Sequence, residues 1–156
     1  MQKFVEIFNF IFLSLCFGLT ACTGNSDTAK ITITDTCSLD NILGTTGGPS
    51  VFTALANSDV EFQGWVADIA IANTAKKVKI ELLNLKNQVQ FVETGVVGIK
   101  RVDVAAAFKA PTLENAGFFV KSKLQGISSG EYEILLVASY DDQITVCRTH
   151  KNIFIK

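Results

Sequence analysis

The stretch 131–140 constrains the fold more than any other. Tyr132, Ile134, Leu136, Ala138 and Tyr140 fall on one parity, and Glu131, Glu133, Leu135, Val137 and Ser139 on the other. Successive side chains of a strand point to opposite faces, so this spacing commits one face to a core. The same period recurs along the chain. Ile31 and Ile33 alternate with threonines in 30–36. Val60, Phe62 and Val66 share a face in 59–67, and Val78, Ile80 and Leu82 oppose Lys79 and Glu81 in 77–85. The runs 88–97, 117–124, 143–149 and 152–155 are similar, with 126–130 as a loop and Asp141-Asp142 as a turn. Short strands spaced by turns predict an all-β sandwich or barrel.

One segment departs from that period. Asp103-Val104-Ala105-Ala106-Ala107-Phe108 is alanine-rich, opens on a residue that caps helices well, and stops before Pro111. It is too short to be stable alone. It predicts a single helical turn over about 103–108, crossing one end of the sheets, with Asp103 as its cap and Phe108 in the core.

The beginning of the chain has a different character. Lys3 is followed by an apolar run to Leu19, and the clean apolar core, 10–19, is short. A bilayer-spanning helix needs about 20 residues, so a secretory signal is expected rather than a permanent span. Leu19-Thr20-Ala21-Cys22 resembles the bacterial lipobox: an aliphatic residue, two small residues, then cysteine. That resemblance implies cleavage before Cys22 and lipidation of its thiol, which would attach the protein to a membrane. Two or three acyl chains hold firmly where one holds only marginally. Thr23, rather than Asp, follows the cysteine, which favours an outer membrane where one exists. The division expected is signal peptide 1–21, lipidated cysteine and tether 22–30, and domain 31–156. The small polar residues 23–30 read as a flexible linker with a reach of roughly 15 Å.

The chain carries 14 basic and 15 acidic residues, net −1, with no basic stripe, so nucleic acid is not an expected partner. Of the four cysteines, Cys16 lies in the signal and Cys22 at the lipidation site. Cys37 and Cys147 remain, a single pair in an oxidising compartment, and a disulfide is expected. It would close a loop of about 110 residues, worth ~4–5 kcal/mol in the chain-entropy model. Two free thiols or half a metal site are the alternatives, and His150 is the one histidine that could assist.

Several short motifs resemble a bacterial immunoglobulin-like β-sandwich module. Phe62-Gln63-Gly64-Trp65-Val66-Ala67-Asp68 is similar to its opening strand, and Arg101-Val102-Asp103-Val104-Ala105-Ala106-Ala107-Phe108 to its "R-DVA-AF" segment. Gly117-Phe118, Gly130-Glu131-Tyr132 and Leu136-Val137-Ala138 fit its later strands, and Cys37-Ser38-Leu39-Asp40-Asn41-Ile42-Leu43-Gly44 its first motif. The similarity covers about 37–140. It implies an immunoglobulin-like antiparallel β-sandwich of the type appended to enzymes of surface polysaccharide metabolism, with no catalytic activity assigned to the module itself.

The candidate site residues are few. Arg101 and Asp103 read either as a local pair around the helical turn or as an exposed fork for an acidic sugar or a partner's carboxylate. Trp65, the single tryptophan, lies on the parity opposite Phe62, where it could stack on a sugar; core packing is the other reading. Asp68, Asp141 and Asp142 lack the spacing of a calcium loop, so no metal is expected. Gly44-Thr45-Thr46-Gly47-Gly48-Pro49 lacks the lysine and helix of a phosphate cradle and reads as a flexible loop; no serine sits in a nucleophile motif, and no cofactor motif is present. The expectation is a non-catalytic, lipid-anchored envelope domain, periplasmic or surface-facing, that binds polysaccharide or an envelope protein handling it. A small glycan hydrolase and a purely structural assembly lipoprotein are the alternatives.

Overall fold

The computed structural model describes residues 29–86 and 88–156; the signal segment, Cys16 and Cys22 lie outside the described residues. Strands β1 (Lys30–Thr34), β2 (Cys37–Leu43), β3 (Thr46–Gly47), β4 (Val51–Ala54), β5 (Asp59–Asp68), β6 (Asn73–Thr74), β7 (Lys77–Asn84) and β8 (Val89–Ile99) come first. Helix α1 (Val102–Ala107), a 3-10 turn (Pro111–Asn115), β9 (Gly117–Lys123), β10 (Gly130–Ser139) and β11 (Gln143–Ile155) follow. The sheet order is β2-β5-β9-β8-β7-β10-β11-β4-β3, with β1 on β11 and β6 on β5.

The sheet curls over into an immunoglobulin-like sandwich, with β8 shared between its two layers. Val89–Gly95 of β8 pairs with β7, whereas Val96–Ile99 pairs with β9. The crossing falls at Gly95, where a Cβ would strike the Val120 side chain and the Phe119 carbonyl oxygen. The absence of a side chain there is what lets β8 pass between layers.

The alternation does the rest. Val60, Phe62 and Val66 of β5, Val78, Ile80 and Leu82 of β7, and Ile134 and Leu136 of β10 are all fully buried in one core with Leu39, Phe118 and Ile153. Each such side chain contributes about 1.5–3 kcal/mol over an exposed one. Cys37 and Cys147 form a disulfide, Cα–Cα 6.3 Å, that ties β2 in one layer to β11 in the other.

Several sequence expectations need correction. The pairing is not wholly antiparallel: β1 and β4 both run parallel to β11, on its first and second halves. Segments 143–149 and 152–155 are one strand, interrupted by a bulge at Thr149–Lys151 where Thr149 donates its hydroxyl to the Ile134 carbonyl at 2.6 Å. Within the expected loop 44–49, Thr46–Gly47 forms the two-residue first arm of the β3–β4 hairpin. The helical turn starts one residue early, and a 3-10 turn with Pro111 at its start follows it. Phe108 lies outside the main core. It is 37% exposed and packs edge-on against Trp65, at 5.5 Å between ring centroids. Trp65 in turn lies against a small second core of Ala67, Val104, Leu113 and Ala116.

Replacing both bridging cysteines, Cys37→Ala with Cys147→Ala, should lower unfolding stability by ~2–5 kcal/mol while leaving the fold intact. Urea unfolding followed by far-ultraviolet circular dichroism checks this; an unchanged midpoint would show that the sandwich holds its layers without the bond.

Candidate functional site

The outer face of the β2-β5-β9 layer carries a groove of about 390 Å³, lined by Asp40, Asn41, Gln63, Gly64, Ile99, Arg101, Phe118 and Phe119. Its shape begins with an irregularity in β2. Leu39 pairs with Gly64 and Asn41 with Gln63, so Asp40 is the extra residue of a β-bulge. A bulge turns its extra side chain out of the regular alternation. The Asp40 carboxylate therefore reaches Arg101, accepting from Nη1 at 2.6 Å, and takes the Ser38 hydroxyl on its other oxygen at 2.6 Å. Gly64 makes the close approach of the bulged strand feasible. A Cβ there would strike the Ser38 carbonyl oxygen and come within 3.0 Å of the Leu39 Cα.

Arg101 stands at the start of α1, and each nitrogen of its guanidinium donates one hydrogen bond. Nε donates to Asp103 Oδ1 at 2.9 Å and Nη2 to Asp103 Oδ2 at 2.6 Å, beside the bond to Asp40. The side chain is 20% exposed. Gly117 leaves room for its stem, since a Cβ there would lie 2.9 Å from the Arg101 Cγ. The forked bond is the kind that a planar guanidinium makes best. It also explains why Asp103 does not cap the helix. Arg101 itself holds the cap position, and the Asp103 carboxylate is turned back onto the guanidinium.

The electrostatics follow from this cluster. The hydrogen bond from Arg101 pulls the Asp103 pKa down to about 2, and the same bond raises that of Arg101. One cation lies between two carboxylates, so the cluster carries an excess of negative charge and does not attract an anion. A general acid needs a raised pKa, and Asp103 moves the opposite way. Tyr140, deep in the core, has its pKa raised by burial and by the charge of Asp68.

The groove is floored by chemistry that the sequence reading passed over. Phe119 is half-buried on the outer face, while Phe118 beside it is 2% exposed in the core. Two consecutive phenylalanines in a strand must face opposite ways. That rule marks one of them as outward from sequence alone. The amides of Asn41 and Gln63 rise along the same wall. Trp65 lies on the outer face too, as its parity requires, but under α1 and outside the groove.

The other singled-out residues lie elsewhere. Asp68 organises its turn, accepting from the Ala70 amide at 2.9 Å and from the Gln143 amide group. Asp141 pairs with Lys76, and His150 with Asp35 at 3.1 Å. Among the described residues, no three histidine, cysteine or carboxylate side chains converge as a metal site. No protein-family model matches the chain, and no curated protein matches it.

The pH behaviour of the cluster can be worked out from the shift of Asp103. Its folded pKa lies below the ordinary carboxylate value. The ion pair therefore contributes fully above about pH 4, and its contribution fades as pH falls toward about 2. Carboxyl-carbon NMR titration should place the Asp103 midpoint near 2 in the native protein and return it toward about 4 in Arg101→Gln. An equal midpoint in both proteins would mean that the forked bond does not exist in solution.

Proposed function

We propose that this chain is a lipid-anchored, non-catalytic binding module of the bacterial envelope, and that the groove beside Arg101 takes a neutral glycan. The sandwich supplies a rigid platform of the immunoglobulin-like kind. The carrying observation is the composition of the groove: a half-buried Phe119 ring with Asn41, Gln63 and Asp40 around it. A pyranose has an apolar C–H face and a rim of hydroxyls. A ring covers the first, and side-chain amides and a carboxylate bond the second, donating and accepting. Shallow, partly polar and wet sites of this type bind without needing deep enclosure.

The two carboxylates held on Arg101 support a neutral sugar over an acidic one. A uronate or other anion would compete with Asp40 and Asp103 for the same nitrogens. Arg101 then serves as a wall that orders Asp40, and Asp40 presents its carboxylate to sugar hydroxyls. Anchoring at Cys22 would keep the domain near the bilayer, where envelope polysaccharides are handled. The resemblance to modules appended to polysaccharide enzymes points the same way.

Calorimetry of the exported Cys22→Ser chain against a panel of neutral and acidic envelope oligosaccharides tests this reading. Saturable binding of a neutral oligosaccharide is expected, weakened ~2–12-fold by Phe119→Ala, which removes one aromatic contact of about 0.5–1.5 kcal/mol. Trp65→Ala should leave affinity unchanged in the folded fraction. No heat with any glycan, or binding indifferent to Phe119, would count decisively against the groove. In the native chain, membrane association should disappear with Cys22→Ser; continued sedimentation with membranes would remove the lipid anchor from the proposal.

A further inference from the structure

The opposite face of the sandwich carries a surface that the groove does not use. Residues paired across a ladder share a face, so the outer face of the larger layer can be followed from strand to strand. Ile33 pairs with Val146, Val146 with Val137, and Val137 with Lys79. In the next row Ile31 pairs with Ile144, Ile144 with Ser139, and Ser139 with Lys77. Ile31 and Ile33 are each 68% exposed, and Ile144, Val146 and Val137 are half-buried. A third row sets Leu135 between Arg148 and Glu81. The turn at the rim holds Asp142 and Asp141, the latter paired with Lys76. The face thus grades from an aliphatic edge at β1 to a cationic flank at β7.

We infer that this face rests on the anionic surface of the membrane that holds the lipid anchor, with Ile31 and Ile33 at the acyl boundary and Lys77 and Lys79 among the headgroups. The inference rests on the reading of Cys22 as the anchor. Two observations choose the bilayer as occupant. The first is position: β1 is the first strand, starting at Lys30, eight residues after Cys22 in sequence, so an anchor at Cys22 would hold β1 nearest the membrane. Its start is pinned, the Lys30 amide donating to the Asp142 carbonyl at 3.2 Å. The second is charge. In the three rows nearest β1, Lys77, Lys79 and Arg148 outnumber Glu81, which complements an anionic leaflet, while Glu131 and Glu133 lie farther along the same face of β10. Apolar side chains beside lysines on one face are the composition of an interfacial contact. The consequence is an orientation: the groove, on the outer face of the other layer, is turned toward the aqueous side.

The test reconstitutes the acylated full chain into vesicles of phosphatidylethanolamine and phosphatidylglycerol that contain diazirine-bearing phosphatidylethanolamine. Adducts are mapped by mass spectrometry after photolysis. They are expected on Ile31, Ile33, Ile144 and Val146 and not on Asn41, Gln63 or Phe119. Ile31→Asp with Ile33→Asp should abolish the Val146 adducts while the mass increment at Cys22 and the Cys37–Cys147 disulfide persist. If that variant misfolds, Lys77→Glu with Lys79→Glu serves in its place and should redistribute the adducts. Adducts spread over both faces on a chain acylated at Cys22 overturn the orientation alone. Absence of adducts from the whole domain on a chain acylated at Cys22 shows that neither face rests on the bilayer and also overturns it. Absence of the mass increment at Cys22 overturns the anchor reading, and this inference with it.

Discussion

The structure depends on one strand being able to belong to two layers. β8 leaves β7 and joins β9 without a break in the chain, and it does so where Gly95 presses against the Phe119 backbone and the Val120 side chain. Because the layers are one curled sheet, the inner faces of β5, β7, β9 and β10 meet in a single core. The contact at Gly95 also fixes β9 in register beneath the outer face, and β9 carries Phe119. The geometry of the groove is thereby a property of the sheet itself and not of a mobile loop.

Local irregularities then convert a regular face into a site. Regular alternation would give Asp40 a place in line with its neighbours; the bulge in β2 swings it toward Arg101 instead. Gly64 and Gly117 make the space for these approaches, one beneath the bulged strand and one beneath the stem of Arg101. Arg101 joins three separate parts of the chain through its two carboxylates: the bulge, the start of α1, and the end of β8 from which it emerges. Exposed ion pairs are individually weak. Their effect here is to define direction, holding Asp40 at the mouth of the groove.

Much of this was legible in the sequence. Period two placed the buried faces of β5, β7 and β10 correctly, because a one-residue error would have turned every side chain of a strand over. The disulfide between Cys37 and Cys147 followed from the cysteine count and the oxidising compartment expected from the first residues. What the sequence concealed was non-local. Nothing near Lys30 or Val51 announces parallel pairing with β11, since the partner lies on a distant segment. The bulge at Asp40 is invisible without the register of β5. Trp65 looked available because its parity was right, but α1 folds back over it, and a covering element cannot be read from alternation. Asn41, Gln63 and Phe119 were overlooked for the same reason: each is ordinary alone and acquires meaning only from its neighbours across the sheet.

The covalent link between the layers has a bearing on the order of events as the protein matures. Its two sulfurs are separated by 110 residues, and closing such a loop in an unfolded chain costs on the order of 4 kcal/mol. Cys147 lies on β11, the last strand of the sandwich, and is wholly enclosed once that strand docks. The thiols therefore meet because the sheet has already assembled around them. The bond acts as a latch on a finished domain, closing only after β11 has taken its place between β10 and its two parallel neighbours. A chain arrested before that point would present Cys37 as a free thiol, open to oxidases and to mispairing, so its redox state reports whether the domain has been completed.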